Sequence, residues 1–102
     1  MRRAPGRLVL VGHPVAHSLS PALQNAALRY AGLPISYEAI DVRPDALAPA
    51  VQRLVTARAA GNVTIPHKEA MARHCARVDA VAERAGAVNT FRVAEDGVLE
   101  GT

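Results

Sequence analysis

Hydrophobic residues along the chain fall into two patterns, short continuous runs and runs with helical spacing. Residues 8–11 are all apolar and are followed at once by Gly12, His13 and Pro14. A short apolar run bounded by turn residues is typical of a strand that is buried on both faces. Further along, apolar residues recur three and four positions apart, at Leu23, Ala26, Ala27 and Tyr30. This spacing predicts an amphipathic helix after the first strand.

Proline, glycine and capping residues set the expected bounds of the other elements. Ser20 is predicted to cap the first helix, with Pro21 at its first position and Gly32 just past its end. A second helix is expected from about Ala48 after a short turn, because Pro49 would clash with a carbonyl group of a longer helix. The remaining predicted elements are strands over residues 35–42, 61–65, 87–93 and 98–101, a third helix from Pro66 to about Arg77, and a short fourth helix from Asp79 to Gly86.

The order of the predicted elements, βαβαβααββ, indicates the fold class. Alternating strands and helices are typical of an α/β fold with a mostly parallel sheet. Residues 94–97 predict a tight turn, so the last two strands are expected to form an antiparallel hairpin. Right-handed crossovers place helices on both faces of such a sheet. We therefore expect a three-layer α/β sandwich, built as one domain from residues 1–102.

Composition argues against several classes of function. The 102 residues are 50% hydrophobic, 3% aromatic and 21% charged, with a net charge of +3. The twelve basic residues are spread along the chain with few aromatic residues to stack on bases, so we expect no nucleic-acid partner. No apolar stretch approaches the length of a membrane span, and Cys75 is the only cysteine, which rules out an intrachain disulfide. We expect a cytoplasmic protein, and the sequence leaves open whether it forms a homodimer.

Lys68 is the only lysine among the twelve basic residues, the other eleven being arginines. Arginine keeps its proton in proteins, whereas lysine can release it where its surroundings disfavour the ammonium form. Lys68 lies in the first turn of the predicted third helix, where the positive end of the helix dipole disfavours another positive charge. Partial burial of the amine would act in the same direction. Lys68 is therefore the candidate for proton transfer.

Three polar segments are expected at one edge of the sheet, where the carboxyl ends of parallel strands form a ligand-binding crevice. They are residues 12–21, 62–68 and 86–90. Their hydroxyl and amide side chains include Ser18, Ser20, Thr64, Thr90, Asn62 and Asn89. Such groups suit a small polyhydroxylated ligand, and serines at a helix N-terminus suit a carboxylate. Taken singly, each residue also fits a structural role as a helix cap, a strand threonine or a loop amide.

Histidine and cysteine are the other residue types that could carry chemistry. His13 and His17 are four residues apart, but the intervening Pro14 argues against a helical metal-binding pair, and no metal site is expected. Cys75 is expected to be a small buried hydrophobic residue.

The three polar segments together resemble a known family. Gly-x-Pro-x-x-His-Ser-x-Ser-Pro, Asn-Val-Thr-x-Pro-x-Lys and Gly-Ala-Val-Asn-Thr follow one another along the chain. In this order and spacing they resemble the N-terminal, substrate-binding half of shikimate dehydrogenases, over about residues 8–102. That family reduces 3-dehydroshikimate to shikimate with NADPH, in the biosynthesis of chorismate and the aromatic amino acids.

The resemblance implies a role for each matching residue. Ser18 and Ser20 would hold the carboxylate of shikimate. Lys68 would protonate the forming alkoxide while hydride goes to the ketone carbon. The residues that would contact the ring hydroxyls are Asn62, Thr64 and Asn89.

Two features of the family do not occur in these 102 residues. The family pairs its lysine with an aspartate in a Gly-x-Asn-Thr-Asp motif, and Gly101 and Thr102 stand where that motif would begin. A Gly-x-Gly-x-x-Gly segment does not occur either. We therefore expect a substrate-binding domain without the dinucleotide-binding domain that would hold NADP, and we predict no cofactor-binding residue in it. By itself the chain is expected to bind substrate weakly and to turn over nothing measurable.

Two alternatives remain beside this interpretation. One is a quinate/shikimate dehydrogenase domain, which would accept a substrate with an extra hydroxyl on the carboxylate-bearing carbon. The other is a non-catalytic binding module for shikimate-like acids.

Overall fold

Residues 5–102, which the computed structural model describes, form one six-stranded sheet with four helices. The strands are β1 (Arg7–Gly12), β2 (Tyr37–Asp41), β3 (Ala59–Val63), β4 (Arg77–Val78), β5 (Thr90–Val93) and β6 (Leu99–Gly101). The helices are α1 (Ser20–Tyr30), α2 (Leu47–Thr56), α3 (Lys68–His74) and α4 (Ala80–Ala85), and one 3-10 turn, Pro44–Ala46, precedes α2.

The strands lie in the order β2-β1-β3-β5-β6-β4. The pairs β1–β2, β1–β3 and β4–β6 are parallel, whereas β3–β5 and β5–β6 are antiparallel. The predicted α/β fold with a mostly parallel sheet and a terminal hairpin is confirmed. The hairpin turn also forms as predicted, because Ala94 N–H donates to the Val98 carbonyl at 2.9 Å.

Alternate residues of β1 face two different hydrophobic clusters. Val9 and Val11 belong to the main core, with residues of α2, α3 and α4. Leu10, with partly buried Leu8, belongs to a smaller cluster that includes Leu28 of α1. Successive side chains of a strand point to opposite faces, so α1 covers one face of the sheet and the other helices cover the opposite face.

Crossover handedness explains this division of the helices. The chain passes from β1 through α1 to β2, then through α2 back past β1 to β3. Because the two crossovers move in opposite directions across the sheet, right-handedness puts their helices on opposite faces.

Helix α1 packs through a different face from the one that its apolar spacing predicts. Pro21, Asn25 and Leu28 are partly buried, and none of its described residues is fully buried. Leu23 is 68% exposed and Tyr30 is 97% exposed. An amide, Asn25, occupies the packing face because it hydrogen-bonds the backbone of strand β2.

The N-terminus of α1 differs from the predicted cap. Ser20 is the first helical residue, and Leu19 occupies the cap position without a side-chain hydrogen bond. Ser18 Oγ instead accepts the N–H of Ser20 at 3.2 Å. The prediction of Ser20 as the cap was wrong because Ser18 bonds one of the open N–H groups of this helix end.

Helix α3 is shorter than predicted at both ends. The N–H of His67 donates to the Thr64 carbonyl at 3.0 Å, which closes a turn around Pro66, and the helix starts only at Lys68. At the other end Cys75 has an extended backbone, with φ −78° and ψ 133°. The next residues form β4, which has only two residues and no recognisable sequence pattern, so it was not predicted.

Helices α2 and α4 agree with their predictions. The 3-10 turn precedes α2, and the buried face of α2 includes Leu47, Val51 and Leu54 as its spacing indicates. Asp79 caps α4 by accepting the N–H of Ala82 at 2.8 Å. Gly86 ends α4 with a φ of 66°, in the left-handed region that glycine adopts without strain.

Candidate functional site

The ends of three strands meet at one edge of the sheet. Strands β1 and β3 run parallel, so their carboxyl ends lie together. Strand β5 runs antiparallel to β3 and pairs Thr90 with Asn62, so the amino end of β5 lies at this same edge. The third polar segment, residues 86–90, therefore reaches the site because it precedes the antiparallel strand β5. It does not follow a parallel strand, as the first two segments do.

Asn62 lies at the centre of this junction and is held by hydrogen bonds at both ends of its amide. Its Oδ1 accepts the hydroxyl hydrogen of Tyr37 at 2.9 Å. Its Nδ2 donates to Thr90 Oγ1 at 3.3 Å and to the carbonyl oxygen of Asn89 at 3.4 Å. Because the carbonyl oxygen of Asn89 only accepts, it determines which end of the amide faces β5.

Asn89 is fixed through its backbone while its side chain is exposed. The N–H of Asn89 donates to the Thr102 carbonyl at 3.0 Å, and its own carbonyl accepts the N–H of Val63 at 2.9 Å. Its Oδ1 accepts the hydroxyl of Thr90 at 3.1 Å. This arrangement leaves the side chain of Asn89 exposed next to Thr90.

Lys68 is the first residue of α3, next to this junction. Its carbonyl oxygen accepts the N–H of Val88 at 3.0 Å, and Lys68 lines a cleft of about 530 Å³ together with Asp79, Asn89 and Thr102. Lys68 is an exposed residue, so partial burial does not contribute at this position. His67 and Met71, one turn apart, carry the buried face of this helix, and Lys68 lies about 100° around the axis from His67.

His67 fixes the start of α3 in the core. The residue is 1% exposed, and its Nε2 hydrogen-bonds the carbonyl oxygen of Val42. Because a carbonyl only accepts, Nε2 carries the proton. The position of Lys68 is therefore tied to the end of β2 through its immediate neighbour.

Thr64 and the loop after β1 pack closely at Gly12. A Cβ added to Gly12 would lie 2.4 Å from Thr64 Cγ2 and 2.8 Å from Val15 Cγ1. The N–H of Thr64 also donates to the Val11 carbonyl at 2.9 Å. The absence of a side chain at position 12 allows Thr64 to lie against β1.

The structure groups the predicted site residues in part. Asn62 joins Asn89 by a hydrogen bond, and Asn89 shares the cleft with Lys68. The predicted residues that do not line this cleft are Ser18, Ser20, Asn62 and Thr64. Ser18 and Ser20 lie at the amino end of α1 and are both partly buried.

Asp79 and Tyr37 are two further candidates for the site that no sequence pattern indicates. The hydroxyl of Thr102, and then the N–H of Ala82, lower the pKa of the Asp79 carboxyl, so an anion lines the cleft beside Lys68. Burial raises the pKa of the Tyr37 hydroxyl, which keeps it a hydrogen donor to Asn62. Asp79 was identified only as a helix cap, and no sequence signal distinguishes Tyr37 from an ordinary strand tyrosine.

Residues 5–102 show neither a membrane-spanning helix nor a metal cluster. In that range no helix combines the length and apolar character that crossing a membrane requires. No cluster of three or more His, Cys, Asp or Glu side chains in the same range is placed to hold a metal ion. His13 instead lies against Asp41, with Nδ1 and Oδ1 2.5 Å apart.

Comparison with known proteins places the chain in a family. The sequence model described as "Shikimate dehydrogenase substrate binding domain" matches residues 10–91. The chain belongs to this family. All six predicted site residues lie within the matched range.

Curated relatives of this shikimate dehydrogenase domain are longer than the chain. It is 50% identical over 93 residues to a shikimate dehydrogenase (NADP(+)) of Methanopyrus kandleri, covering 90% of this chain and 32% of the relative. It is 47% identical over 102 residues to that of Moorella thermoacetica, covering 99% of this chain and 34% of the relative. The chain thus spans about a third of the length of these curated relatives.

A solved shikimate dehydrogenase has the same fold over this domain. The enzyme from Thermus thermophilus, in complex with NADP(H) and shikimate, superposes with a TM-score of 0.86 and 45% identity. The match covers 93% of this chain and 36% of that structure.

Proposed function

We propose that this chain is the substrate-binding and proton-transfer part of an NADP-dependent shikimate dehydrogenase, which interconverts 3-dehydroshikimate and shikimate. The observation that carries the proposal is the hydrogen-bonded junction of Asn62, Asn89 and Thr90 beside Lys68. Two amides and a hydroxyl next to a lone amine suit a ligand with several hydroxyl groups and a carbonyl group to protonate. The Thermus thermophilus structure, which contains shikimate, supports the choice of ligand.

Each predicted residue then has a physical task. Ser18 and Ser20 bind the carboxylate at the amino end of α1, where N–H groups and the helix dipole favour an anion. The ring hydroxyls bind the side chains of Asn62, Thr64 and Asn89. Lys68 Nζ gives a proton to the substrate oxygen in the reduction and takes one in the oxidation.

NADP(H) supplies the hydride in this reaction. These 102 residues contain no Gly-x-Gly-x-x-Gly segment, so they do not fit the dinucleotide and we assign it no residue here. We propose that residues 1–102 form one domain, that the chain by itself does not turn over substrate, and that it works in the cytoplasm, in keeping with its single cysteine. The absence of a nucleic-acid partner stays a prediction, and the sequence leaves a homodimer open.

Substrate binding is tested by titrating the ¹⁵N-labelled chain with shikimate and recording amide shifts. We expect the shifts to concentrate at residues 18–20, 62–68 and 89–90. Ser18→Ala should weaken binding about tenfold or more, because it removes a hydrogen bond to a charged carboxylate. Gln52→Ala, at an exposed position on α2, is the matched control and should leave binding unchanged. Shifts confined to other surfaces would contradict the proposal.

Quinate serves as the second ligand in the same titration. Its extra hydroxyl lies on the carbon that bears the carboxylate and would enter the region of Ser18 and Ser20. We expect weaker binding of quinate than of shikimate. Equal or tighter binding would instead assign the chain to a quinate/shikimate dehydrogenase.

Proton transfer is tested in a chimera in which this chain replaces the matching third of the Moorella thermoacetica relative. Lys68→Met should lower kcat about 100-fold or more, the usual contribution of a general acid. Arg73→Met removes a positive charge from an exposed position on the same helix and should leave kcat unchanged. An equal loss in both variants would mean that Lys68 acts only through its positive charge. An unchanged kcat in Lys68→Met would refute its role in proton transfer.

A further inference from the structure

Helix α1 carries Ser18 and Ser20 at its amino end, yet hydrophobic contact alone holds it weakly. None of its described residues is fully buried. The small cluster beneath it consists of Leu10, Val15 and Tyr37, with Leu8 and Leu28 partly buried at its border. A helix with so little apolar burial needs another attachment to keep a fixed position on the sheet.

Asn25 provides that attachment. Its Nδ2 donates to the carbonyl oxygen of Tyr37 at 2.8 Å, and its Oδ1 accepts the N–H of Tyr37 at 2.7 Å. Both backbone groups belong to β2, which is an edge strand of the sheet. The side-chain amide therefore pairs with β2 as a peptide group of a neighbouring strand would.

The side chain of Tyr37 continues this connection into the site. Tyr37 is 5% exposed, and its hydroxyl crosses the intervening strand β1 to reach Asn62 on β3. Tyr37 thus bonds Asn25 of α1 through its backbone and the amide of Asn62 through its hydroxyl. The connected residues are Asn25, Tyr37 and Asn62.

We infer that Asn25 is a positioning residue of the site: by clamping the backbone of Tyr37, it fixes α1, and with it Ser18 and Ser20, relative to Asn62. The inference rests on the proposed function, in which these serines and Asn62 bind opposite ends of one ligand. Asn25 itself does not contact that ligand. Its effect on binding is transmitted through the position of the helix.

The first test needs no ligand and measures amide hydrogen exchange of the chain by NMR. Asn25→Ala should speed exchange in α1 about tenfold, because two hydrogen bonds that hold the helix are lost. The amides of β1 and β3 should exchange as before. Gln24→Ala changes the exposed neighbouring residue on the same helix and should alter neither. Unchanged exchange in α1 of Asn25→Ala would overturn the inference.

Two milder variants keep the test decisive if Asn25→Ala does not fold. Asn25→Asp retains the acceptor for the Tyr37 N–H but replaces the donor with a carboxylate oxygen opposite the Tyr37 carbonyl, so α1 should still exchange faster than in the parent. Tyr37→Phe removes only the hydroxyl and should shift the side-chain amide signals of Asn62 while α1 exchanges as in the parent. Faster exchange of α1 in Tyr37→Phe would contradict the inference, because the hydroxyl of Tyr37 would then also hold the helix.

The second test combines Asn25→Asp with Ser18→Ala in shikimate titrations. If Asn25 acts by positioning the serines, Ser18→Ala should cost at least about threefold less affinity in the Asn25→Asp background than in the parent. If the parent binds shikimate and the two losses are additive, the inference is overturned. A parent that binds no shikimate would refute the proposed function instead, and the exchange result would still decide whether Asn25 fixes α1.

Discussion

Replacing Gly12 with alanine gives a direct test of how tightly the site is packed. The new Cβ would lie 2.4 Å from Thr64 Cγ2, 2.8 Å from Val15 Cγ1 and 3.2 Å from the Ile65 carbonyl oxygen. The backbone of Gly12 is not in the left-handed region, so alanine fits the local conformation. The cost of Gly12→Ala therefore comes from packing and not from the backbone.

The expected magnitude follows from two opposing effects. Overpacking a close-packed site costs about 1–3 kcal/mol. Alanine also restricts the unfolded chain relative to glycine, which stabilises the folded state by about 0.4–1 kcal/mol. The midpoints leave a net loss of about 1.3 kcal/mol, equivalent to a decrease in Tm of about 5–10 °C for a domain of this size.

Urea unfolding followed by far-UV circular dichroism measures this loss. Thr64 is β-branched and stiff, so the strain is relieved mainly by rotating or displacing its side chain. Adding Thr64→Ser to Gly12→Ala removes the Cγ2 atom and keeps the hydroxyl, and it should recover part of the lost stability, since the close approach to Val15 Cγ1 remains. Thr64→Ser in the parent is the control, because it measures the effect of the serine replacement by itself. Our reasoning is wrong if Gly12→Ala is as stable as the parent, or if the double variant recovers nothing.

Three further predictions concern stability. Asp79→Ala should lower the Tm by roughly 5 °C through loss of the α4 cap, whereas Asp79→Asn should retain the cap; a thermal melt that ranks them equally would contradict this. Contacts with Arg77, above all its side-chain hydrogen bonds, lower the pKa values of Asp96 and Glu100. Both carboxylates therefore stabilise the fold at pH values above their unfolded-state pKa values. This contribution is lost as the pH falls through their pKa values in the folded state. Stability should therefore fall as the pH is lowered below the ordinary pKa range of carboxyl groups, and less steeply in Arg77→Met; equal slopes in urea titrations would rule out this origin. Met71→Ala should cost about 2–5 kcal/mol in urea unfolding because Met71 is fully buried, whereas Met71→Leu should cost less than about 1.5 kcal/mol, and equal costs would show that volume does not matter there.

Local sequence signals predicted the elements that are determined locally. The apolar run at residues 8–11, the turn at 94–97, and the pair of Asp79 and Gly86 around α4 each carry their own pattern, and each appears in the structure. The motif residues were identified from the sequence, and the family they indicated matches residues 10–91. Bounds were less predictable, as with β5, which starts three residues later than expected.

Features that depend on strand order could not be predicted in the same way. The hydrogen bond between Tyr37 and Asn62 exists only because β1 lies between β2 and β3 and their side chains share a face. The packing face of α1 was misassigned because Asn25, a polar residue, takes a place that apolar periodicity cannot reveal. The exposure of Lys68 likewise depends on which neighbouring residues reach the core, namely His67 just before α3 and Met71 within it.

The clamp of Asn25 on β2 also bears on how the protein behaves at high concentration. An open edge strand invites strand addition by another molecule, which leads to aggregation. At Tyr37 the outward N–H and C=O groups of this edge already have partners, so an incoming strand cannot pair with that residue. The opposite edge is β4, whose two residues are too few to template a new strand. Loss of the Asn25 amide would therefore leave unpaired backbone groups on β2, and the protein would then self-associate through this edge.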